Sequence, residues 1–353
     1  MARRVARYAF LNARVSVLAE QLLSEQELIS FLHTPIAEQR ALLERMGLGS
    51  LDVEEAARTG TLARGINELI LQDMVRLIRP LQGGARALLS YWARRFELVN
   101  LKAIIRARLS GQDAETIKRE LLDLGEFDTL SSDELLGAED VAEMLRQLER
   151  KSHYSPIARQ ARRVFEEHHD AFILDASIDR GYFAGLYQHL TGFTGDDAAN
   201  LRIVVGDLID RINLVWLLRY RFAYELPPVE AYYLLIPAGV QLGRARLMRL
   251  VELDSWDQIK AELPEPMRDW VAETRTVSDV HYALKRHGVE RARRILYGSA
   301  FNLGRAFAYL QLREDDLRRV GAILRGRVLK VDPNTIVDAA ELGPEALDGA
   351  AAA

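Results

Sequence analysis

Apolar residues recur every three or four positions along almost the whole chain, which is the spacing of one face of an α-helix. The first such stripe comprises Tyr8, Leu11, Val15, Leu18 and Leu22. No run alternates between apolar and polar residues over several positions with a turn pair between two such runs, as a hairpin would require. The pattern therefore predicts an all-α protein, with about fifteen to twenty helices at the average helix length.

Several helix starts are also recognisable. The capping-box signature, a serine followed three residues later by an acid or amide, occurs at Ser24 with Glu27, Ser131 with Glu134, and Ser255 with Gln258. Ser155 and Asp332 stand directly before prolines and are predicted to cap helices that begin there. Beyond the second of these the chain becomes rich in alanine, and we expect residues 336–353 to form a disordered tail.

Composition narrows the class of protein. The chain has 353 residues, 49% of them apolar, which is enough for two or three domains with a large core. A net charge of −4 gives no general basic character, so we expect no nucleic-acid partner. The lack of cysteine excludes disulfides and thiolate-bound metals. The uncharged stretch 231–243 is shorter than the roughly 20 apolar residues of a spanning helix, so we expect no membrane-crossing segment.

Three stretches of twelve residues share one pattern. They are residues 97–108, 210–221 and 316–327. Each begins with an acid, has apolar residues at its fifth, eighth and ninth positions, and has arginine at its tenth and twelfth positions. Asparagine occupies the fourth position in the first two copies, and Arg319 occupies it in the third. We call these stretches the motif and interpret them as an internal repeat.

The spacing of the motif indicates the size of the repeating unit. The copies start 113 and 106 residues apart (97 to 210, and 210 to 316). A solenoid repeats roughly every 20–50 residues, so this longer period predicts three domain-sized helical units. The predicted units are 1–112, 113–226 and 227–335. A weaker similarity supports them, since Leu22-Leu-Ser24 and Leu253-Asp-Ser255 lie at the front of the first and third units.

The motif also predicts which side chains face the core and which do not. On a helix, its fifth, eighth and ninth positions form one apolar stripe that should pack inward. The paired arginines are two residues apart and therefore face different directions. These arginines are Arg106, Arg108, Arg219, Arg221, Arg325 and Arg327. They either cap helix ends and bind neighbouring helices, or form an interface that is used three times, and both interpretations stay open.

Motifs for catalysis or nucleotide binding are missing from the sequence. There is no phosphate-binding glycine loop, no G-x-S-x-G and no H-E-x-x-H. His168 and His169 are neighbours that do not share a helix face. Asp196-Asp197 lacks the third acid of an Asp-Asp-x-x-Asp site. We therefore expect no catalytic residue, no metal, no cofactor and no small-molecule substrate.

The most apolar segment is 231–239, which follows two prolines and includes Tyr232 and Tyr233. Packing in the protein core is the usual role of such a segment. Contact with a membrane protein is the alternative, and for this reason Tyr232 and Tyr233 join the motif arginines as candidate interface residues.

Together these features resemble the central-stalk component of V/A-type rotary ATPases, which is called the C subunit in prokaryotic enzymes and the d subunit in eukaryotic ones (the AC39 family). The similarity lies in residues 97–108 and 210–221, which match an acid-x-x-Asn-Leu-x-x-(Ile/Leu)-(Ile/Leu)-Arg-x-(Lys/Arg) helix, and in Leu235-Ile-Pro-Ala-Gly239 and Tyr8-x-x-x-Asn-Ala-Arg14. The third copy departs from the pattern, because Arg319-Val-Gly stands where Asn-Leu-Arg is usual.

The resemblance implies three helical domains that form a funnel with pseudo-threefold symmetry. It implies a non-catalytic rotor subunit that couples the central shaft to the proteolipid ring of the membrane sector, for transport of an ion that we expect to be the proton. The implied partners are that ring and the D and F subunits of the central shaft. The implied location is the cytoplasmic face of the membrane, as a peripheral part of the complex.

Two other functions are compatible with the residues. A free-standing helical scaffold that binds soluble proteins would have a similar core but would not associate with a membrane complex. An all-α enzyme would have a polar pocket with converging carboxylates or histidines.

Overall fold

The structure is a computed structural model that describes residues 2–150, 153–298, 300–343 and 346–347, with side chains from residue 8 onward. Every regular element in these ranges is a helix, which confirms the all-α prediction. In chain order the α-helices are α1 (Ala2–Ala19), α2 (Glu25–His33), α3 (Arg40–Arg45), α4 (Val53–Thr59), α5 (Leu62–Ile78), α6 (Gly83–Ala93), α7 (Arg95–Leu109), α8 (Ala114–Glu120), α9 (Ser132–Leu136), α10 (Val141–Glu149), α11 (Ser155–His168), α12 (Ala171–His189), α13 (Gly195–Leu218), α14 (Pro228–Leu234), α15 (Arg244–Leu250), α16 (Trp256–Glu262), α17 (Met267–Val271), α18 (Val277–Tyr297), α19 (Leu303–Val328) and α20 (Pro333–Ala339). The shorter elements are 3₁₀-helices at Ile36–Gln39, Gly125–Phe127 and Leu190–Gly192 and a π-helix at Arg219–Ala223.

Side-chain caps start several of these helices as the sequence predicts. Ser24 forms a capping box with Glu27 at the start of α2. The caps that accept an N–H from the first turn of α9, α16 and α20 are Ser131, Ser255 and Asp332. One predicted cap differs, because α11 begins at Ser155 itself, with Tyr154 at the N-cap position and Pro156 in the first turn. Proline fits there because the first-turn N–H groups of a helix have no intrahelical partner.

The chain divides into two compact units. One contains residues 1–81 together with 292–353, and the other contains residues 82–291. Both ends of the chain therefore belong to the same unit. The division into three consecutive units stays a prediction.

The unit that contains both termini is built around α19. This helix has buried residues along most of its 26 positions and packs against α1, α2, α4, α5 and α20. Two glycines allow the close approach of its neighbours. A Cβ on Gly321 would lie 2.5 Å from Ile66 of α5, and one on Gly326 would lie 2.5 Å from Ile336 of α20. A helix that is buried on nearly every side, as α19 is, occupies the centre of a unit, and its buried charged side chains then need partners from the helices around it.

A buried ion pair joins α19 to α5. The guanidinium of Arg313 lies 3.2 Å from the carboxylate of Asp73, and the two side chains are 2% and 3% exposed. The same carboxylate accepts a hydrogen bond from the Tyr309 hydroxyl at 2.9 Å, and Arg313 donates to the carbonyl oxygen of Met46. Burial, together with the charge of Asp73, raises the pKa of Tyr309, so the tyrosine stays a donor. Each member of the pair thus has a further hydrogen-bond partner, which a buried charge needs, although Nη1 of Arg313 has none among the described residues.

The tail that the sequence predicts to be disordered is ordered over part of its length. Pro333–Ala339 forms α20, and Ile336, Val337 and Leu342 are buried. The prediction is therefore wrong for 336–343, because these few apolar side chains are spaced to pack together against α19. Ala346 accepts a hydrogen bond from His33 at 2.6 Å. Residues 344–345 and 348–353 lie outside the described residues.

The second unit contains the first two copies of the motif. Its α12 packs against α6, α7, α11 and α14. Around the C-terminal half of α13, the buried side chains Leu214, Leu217 and Leu218 form a core with apolar residues of α14 to α18. Much of the segment 231–239 belongs to this core, since Ala231, Leu234, Leu235 and Ile236 are buried.

Candidate functional site: the three motif helices

Each copy of the motif lies on a long helix. Residues 97–108 belong to α7, residues 210–221 run from α13 into the π-helix, and residues 316–327 belong to α19. The side chains at the fifth, eighth and ninth positions are all buried, which confirms the predicted apolar stripe. They are Leu101, Ile104, Ile105, Leu214, Leu217, Leu218, Val320, Ile323 and Leu324.

The acid at the first position binds backbone N–H groups of a loop. The donor–acceptor pairs are Leu130 with Glu97 (3.1 Å), Leu242 with Asp210 (2.9 Å) and Leu23 with Asp316 (2.8 Å). Each acid is 1% exposed. In every copy the donor residue directly precedes the N-cap of a helix, which is α9, α15 or α2. The first position therefore fixes the start of a helix other than the next one in the chain, since α8 lies between α7 and α9, and α14 lies between α13 and α15.

The asparagine at the fourth position holds a second loop. Asn100 donates to the carbonyl of Leu122 and accepts from its N–H, both at 2.9 Å. Asn213 makes the same pair of bonds to Ile236, at 3.1 and 2.9 Å. The partner lies 22 residues downstream in the first copy and 23 in the second. A buried amide is satisfied only when both its donor and its acceptor find partners, so this contact strongly specifies the loop conformation.

Arg319 takes the place of this asparagine in the third copy. Its Nε donates to the carbonyl of Ala340 at 2.9 Å, 21 residues downstream. Its Nη2 also lies 2.8 Å from the carboxylate of Glu25, in the first turn of α2. The longer side chain thus keeps the carbonyl contact and adds an ion pair, which accounts for the departure from the family pattern.

The arginine at the twelfth position binds backbone carbonyls within the chain. The acceptors are Ala138 and Glu139 for Arg108, Leu226 and Val251 for Arg221, and Phe31 and Thr34 for Arg327. Phe31 lies in the last turn of α2 and Thr34 is its C-cap. Carbonyl groups at a helix end lack intrahelical partners, and here the guanidinium supplies them. The twelfth position therefore has a structural role in all three copies.

The third set of contacts is completed by the beginning of the chain. In the first two copies, the acid and the twelfth-position arginine bind residues about 30–33 positions downstream. In the third copy the equivalent partners are Leu23, Phe31 and Thr34. Leu23-Ser24 therefore corresponds in its contacts to Leu130-Ser131, and the similarity of Ser24 to Ser255 in the sequence does not reflect an equivalent position.

The arginine at the tenth position is exposed in all three copies. Arg106 lies 3.2 Å from the half-buried carboxylate of Asp175 and its side chain is still 59% exposed. The guanidinium groups of Arg219 and Arg325 form no hydrogen bond or ion pair with the described residues. The two arginines of each pair thus differ, since the twelfth-position side chains bind backbone and the tenth-position side chains face solvent.

The two candidate tyrosines also differ from each other. The Tyr232 hydroxyl accepts a hydrogen bond from Arg244 at 3.2 Å, and its ring packs against the core of the second unit. Tyr233 is 65% exposed. Only Tyr233 offers a large apolar surface to solvent, so the structure separates two neighbours that the sequence treats alike.

Burial raises the pKa of two of the motif acids, Asp210 and Asp316. Burial raises the pKa of Asp316 to about 7, with a further upward contribution from Asp315, while the Leu23 N–H and two arginines oppose the shift. Burial also raises the pKa of Asp210, against the hydrogen bonds from three backbone N–H groups.

Asp316→Asn is expected to change how stability depends on pH. The folded carboxyl keeps its proton up to about pH 7, whereas the unfolded one loses it near 3.8. Between these values the folded state binds more protons, so this group's contribution to stability falls as pH rises from about 4 to about 7 and is constant above that. Asparagine does not titrate, so the stability of the variant relative to wild type should rise across the same window. Urea unfolding at several pH values measures this, and a pH-independent difference would contradict it.

The described residues show little that would support chemistry. Within those ranges, no group of three or more His, Asp or Glu side chains is placed to hold a metal ion. None of the helices described there combines the length and the hydropathy needed to cross a membrane. What the arrangement does provide is three buried polar frameworks that fix loops and helix starts, and three exposed arginines at equivalent positions.

The sequence identifies the motif but not most of its contacts. The acid and the asparagine stand out as recurring positions, whereas their partners do not. For the first two copies the sequence does contain a signal for these partners, because a loop and a helix start follow each motif at a nearly constant interval. The third copy gives no such signal because its partners lie some 293–296 residues away.

Comparison with known proteins adds an independent finding. A family model described as "ATP synthase (C/AC39) subunit" matches residues 11–339. The C subunit of the A-type ATP synthase of Methanocaldococcus jannaschii is 21% identical over 350 residues, covering 94% of this chain and 86% of the relative. The protein of the same name from Haloferax volcanii is 28% identical, covering 85% and 84%. That from Methanosarcina mazei is 25% identical, covering 69% and 67%.

Proposed function

Because this chain belongs to the ATP synthase (C/AC39) subunit family, we propose that it is a non-catalytic rotor subunit of a V/A-type ATP synthase or ATPase. It couples the central shaft, made of the D and F subunits, to the proteolipid ring of the membrane sector, and the transported ion is the proton. It binds the complex at the cytoplasmic face of the membrane as a peripheral subunit. The family match over residues 11–339 is the observation that carries the proposal.

The repeated contacts also support an internal threefold repeat, which the family resemblance implies. Each copy of the motif has a buried acid at a helix start, a side chain that holds a loop carbonyl and an arginine at a helix end. We take these as three related units, the third of which includes the first part of the chain. The funnel arrangement expected from the family resemblance stays a prediction.

A torque-coupling role requires a subunit that does not deform under load. Buried polar networks with all members satisfied favour one rigid arrangement over alternatives. The motif acids, the fourth-position side chains and the twelfth-position arginines all form such contacts. These side chains hold loops and helix ends in place. Such an arrangement suits a coupling element better than it suits an enzyme whose loops must open to admit a substrate.

The tenth-position arginines are the proposed interface residues of the motif. Arg106, Arg219 and Arg325 are exposed at equivalent positions, and two of them are unpaired among the described residues. Arginine is favoured at interfaces because its planar guanidinium makes several directed hydrogen bonds. We add Tyr233 as an exposed aromatic anchor and assign Arg108, Arg221, Arg327 and Tyr232 to the support of the chain segments that they contact.

Replacing Arg106, Arg219 and Arg325 together with alanine is expected to weaken assembly with the complex by about tenfold or more, because each exposed charge contributes up to about 1 kcal/mol. The fold should be retained, since Arg219 and Arg325 have no intramolecular bond to lose. The measurement is the fraction of the subunit that co-purifies with its complex at a series of concentrations.

A matched control replaces three exposed arginines outside the motif, Arg40, Arg202 and Arg249, which changes the net charge equally. This variant should assemble like wild type. Equal assembly of the motif variant and wild type would remove the tenth-position arginines from the interface.

The proposed function itself is tested by affinity purification of the tagged chain from gently solubilised native membranes. Recovery of a proteolipid ring and shaft subunits, identified by mass spectrometry, is the expected result. Recovery of soluble proteins alone would instead favour a free-standing helical scaffold.

A further inference from the structure

A cleft in the second unit is lined mainly by three helices, and of its lining residues only Leu226 takes part in a motif contact, by accepting a hydrogen bond from Arg221. Its volume is about 600 Å³, and its walls come from α11, α12 and α14. The contributing residues of α11 recur at positions 156, 159, 160, 163, 164, 167 and 168, which is one continuous helix face. Cavities of roughly 300–1,000 Å³ are typical of small-molecule sites.

The charges that line the cleft are mainly positive. Arg159 and Arg163 lie one helical turn apart on α11, and Arg180 faces the same space from α12. Two carboxylates, Glu167 and Glu230, also line it. Three guanidinium groups against two carboxylates leave an excess of one positive charge. Like charges one turn apart on a helix repel each other, so the pair on α11 weakens the fold slightly when nothing negative lies between them.

The guanidinium groups have unused hydrogen-bonding capacity. Arg163 forms no hydrogen bond or ion pair with the described residues. Arg159 donates one long hydrogen bond, 3.4 Å to the Ser155 hydroxyl, and is attracted by the charge of Glu149 without forming an ion pair with it. Arg180 binds Gln160 and the carbonyl of Leu235 through Nη1 and Nε, at 2.9 and 3.0 Å. Its Nη2 is left without a partner among the described residues. Burial lowers the pKa of Arg180, which is the electrostatic cost of holding this cation where water is scarce.

A buried hydroxyl in the same cleft points to a ligand independently of the arginines. Ser177 lines the cleft and is 1% exposed, and its Oγ has no hydrogen-bond partner in the described structure. A buried polar atom without a partner costs free energy, and native proteins leave few such atoms. A ligand group that enters the cleft would supply the missing bond.

We infer that this cleft binds an amphipathic organic anion, with a phosphate or carboxylate head held by Arg159, Arg163 and Arg180. The apolar body lies against Val164, Ile173, Leu234 and the ring of Tyr233, which are among the uncharged residues of the lining. The forked geometry of guanidinium matches the oxygens of phosphate and carboxylate. Tyr233 lines the cleft and is also a proposed interface residue, but the three arginines that hold the head group are not, so the inference does not depend on the proposed rotor function.

The shared ligand chemistry has two sources, a soluble phosphate monoester and an anionic lipid, and the experiment separates them. Calorimetric titration of the purified full chain uses dodecyl phosphate as the probe. The expected result is saturable binding that Arg159→Gln with Arg163→Gln weakens by about tenfold or more, since each lost charge-assisted bond is worth about a factor of ten. Both side chains lack strong intramolecular bonds, so the double variant should remain folded, as circular dichroism will show.

Two controls define the outcome. Arg202→Gln removes an exposed arginine from α13 outside the cleft and should leave binding unchanged. Dodecyltrimethylammonium, a cation of the same chain length, should bind at least tenfold more weakly than dodecyl phosphate. No binding of dodecyl phosphate, equal binding by the double variant, or equal binding of the two amphiphiles would each overturn the inference.

Two further titrations decide whether the ligand is a soluble phosphate ester or an anionic lipid. Binding of phenyl phosphate that is lost in the same double variant identifies a soluble phosphate ester as the ligand class. Binding of vesicles that contain phosphatidic acid, without binding of phenyl phosphate, identifies an anionic lipid. Either result supports the site.

Discussion

Replacing Asp73 with alanine is expected to lower the free energy of unfolding by about 3–5 kcal/mol, because it leaves the charge of Arg313 buried without a counter-ion. The two side chains are only 3% and 2% exposed, so water cannot replace the carboxylate. The Tyr309 hydroxyl would lose its acceptor in the same step. Thermal and urea unfolding, followed by circular dichroism, measure the loss.

Two further variants test whether the loss of stability in Asp73→Ala comes from the uncompensated charge of Arg313. Glu55→Ala removes an acid from a pair that is more than half exposed on both sides, and we expect a change within about 0.5 kcal/mol. Adding Arg313→Met to Asp73→Ala should recover at least half of the lost stability, because the buried charge is then gone. The explanation fails if Asp73→Ala costs no more than Glu55→Ala, or if the second substitution makes the loss larger.

Glu97→Ala is expected to lower the free energy of unfolding by about 3–5 kcal/mol, since it leaves two buried donors, the Leu130 N–H and the Tyr154 hydroxyl, without an acceptor. The carboxylate accepts the Thr129 N–H and hydroxyl, the Leu130 N–H at 3.1 Å, and the Tyr154 hydroxyl. Because the chain has two compact units, a local readout is more informative than a global one. Amide hydrogen exchange at Leu130 should accelerate by at least about a hundredfold if the loop before α9 opens.

The control for this variant is Glu252→Ala, which removes an exposed acid from the same unit. It should leave both the stability and the exchange rate of the Leu130 amide unchanged. Glu97→Gln keeps one oxygen acceptor, and we expect a smaller loss than for alanine. Unchanged exchange in Glu97→Ala would mean that the acid does not hold the loop, and the structural interpretation of the first motif position would fail with it.

The sequence predicts most accurately where a feature depends on neighbouring residues alone. The apolar stripe of the motif follows from spacing within a single helix, and all nine side chains are buried. The caps at Ser24, Ser131 and Ser255 depend on residues within one turn and are present. The prediction for the tail is wrong because a low apolar content does not by itself cause disorder, and Ile336 and Val337 suffice to hold α20 against α19.

The roles of the candidate interface residues could not be predicted from neighbouring residues alone. The sequence could not distinguish the tenth from the twelfth arginine, because the two have the same chemistry and differ only in direction. The structure separates them through partners that lie about 30 residues away or at the other end of the chain. The anion cleft was not predicted at all, since its arginines on α11 have no partner nearby in sequence that would single them out.

By itself, the sequence determined that this chain is helical, where its motif helices bury their apolar faces and which family it resembles. Helix formation and amphipathic spacing arise from contacts within a few residues, so they are legible in a single chain. Only the tertiary structure decided that the start of the chain completes the third set of motif contacts, through bonds such as that from Leu23 to Asp316. A buried carboxylate needs a donor but does not specify which one, and the choice among distant backbone groups is made by the packing that brings them together.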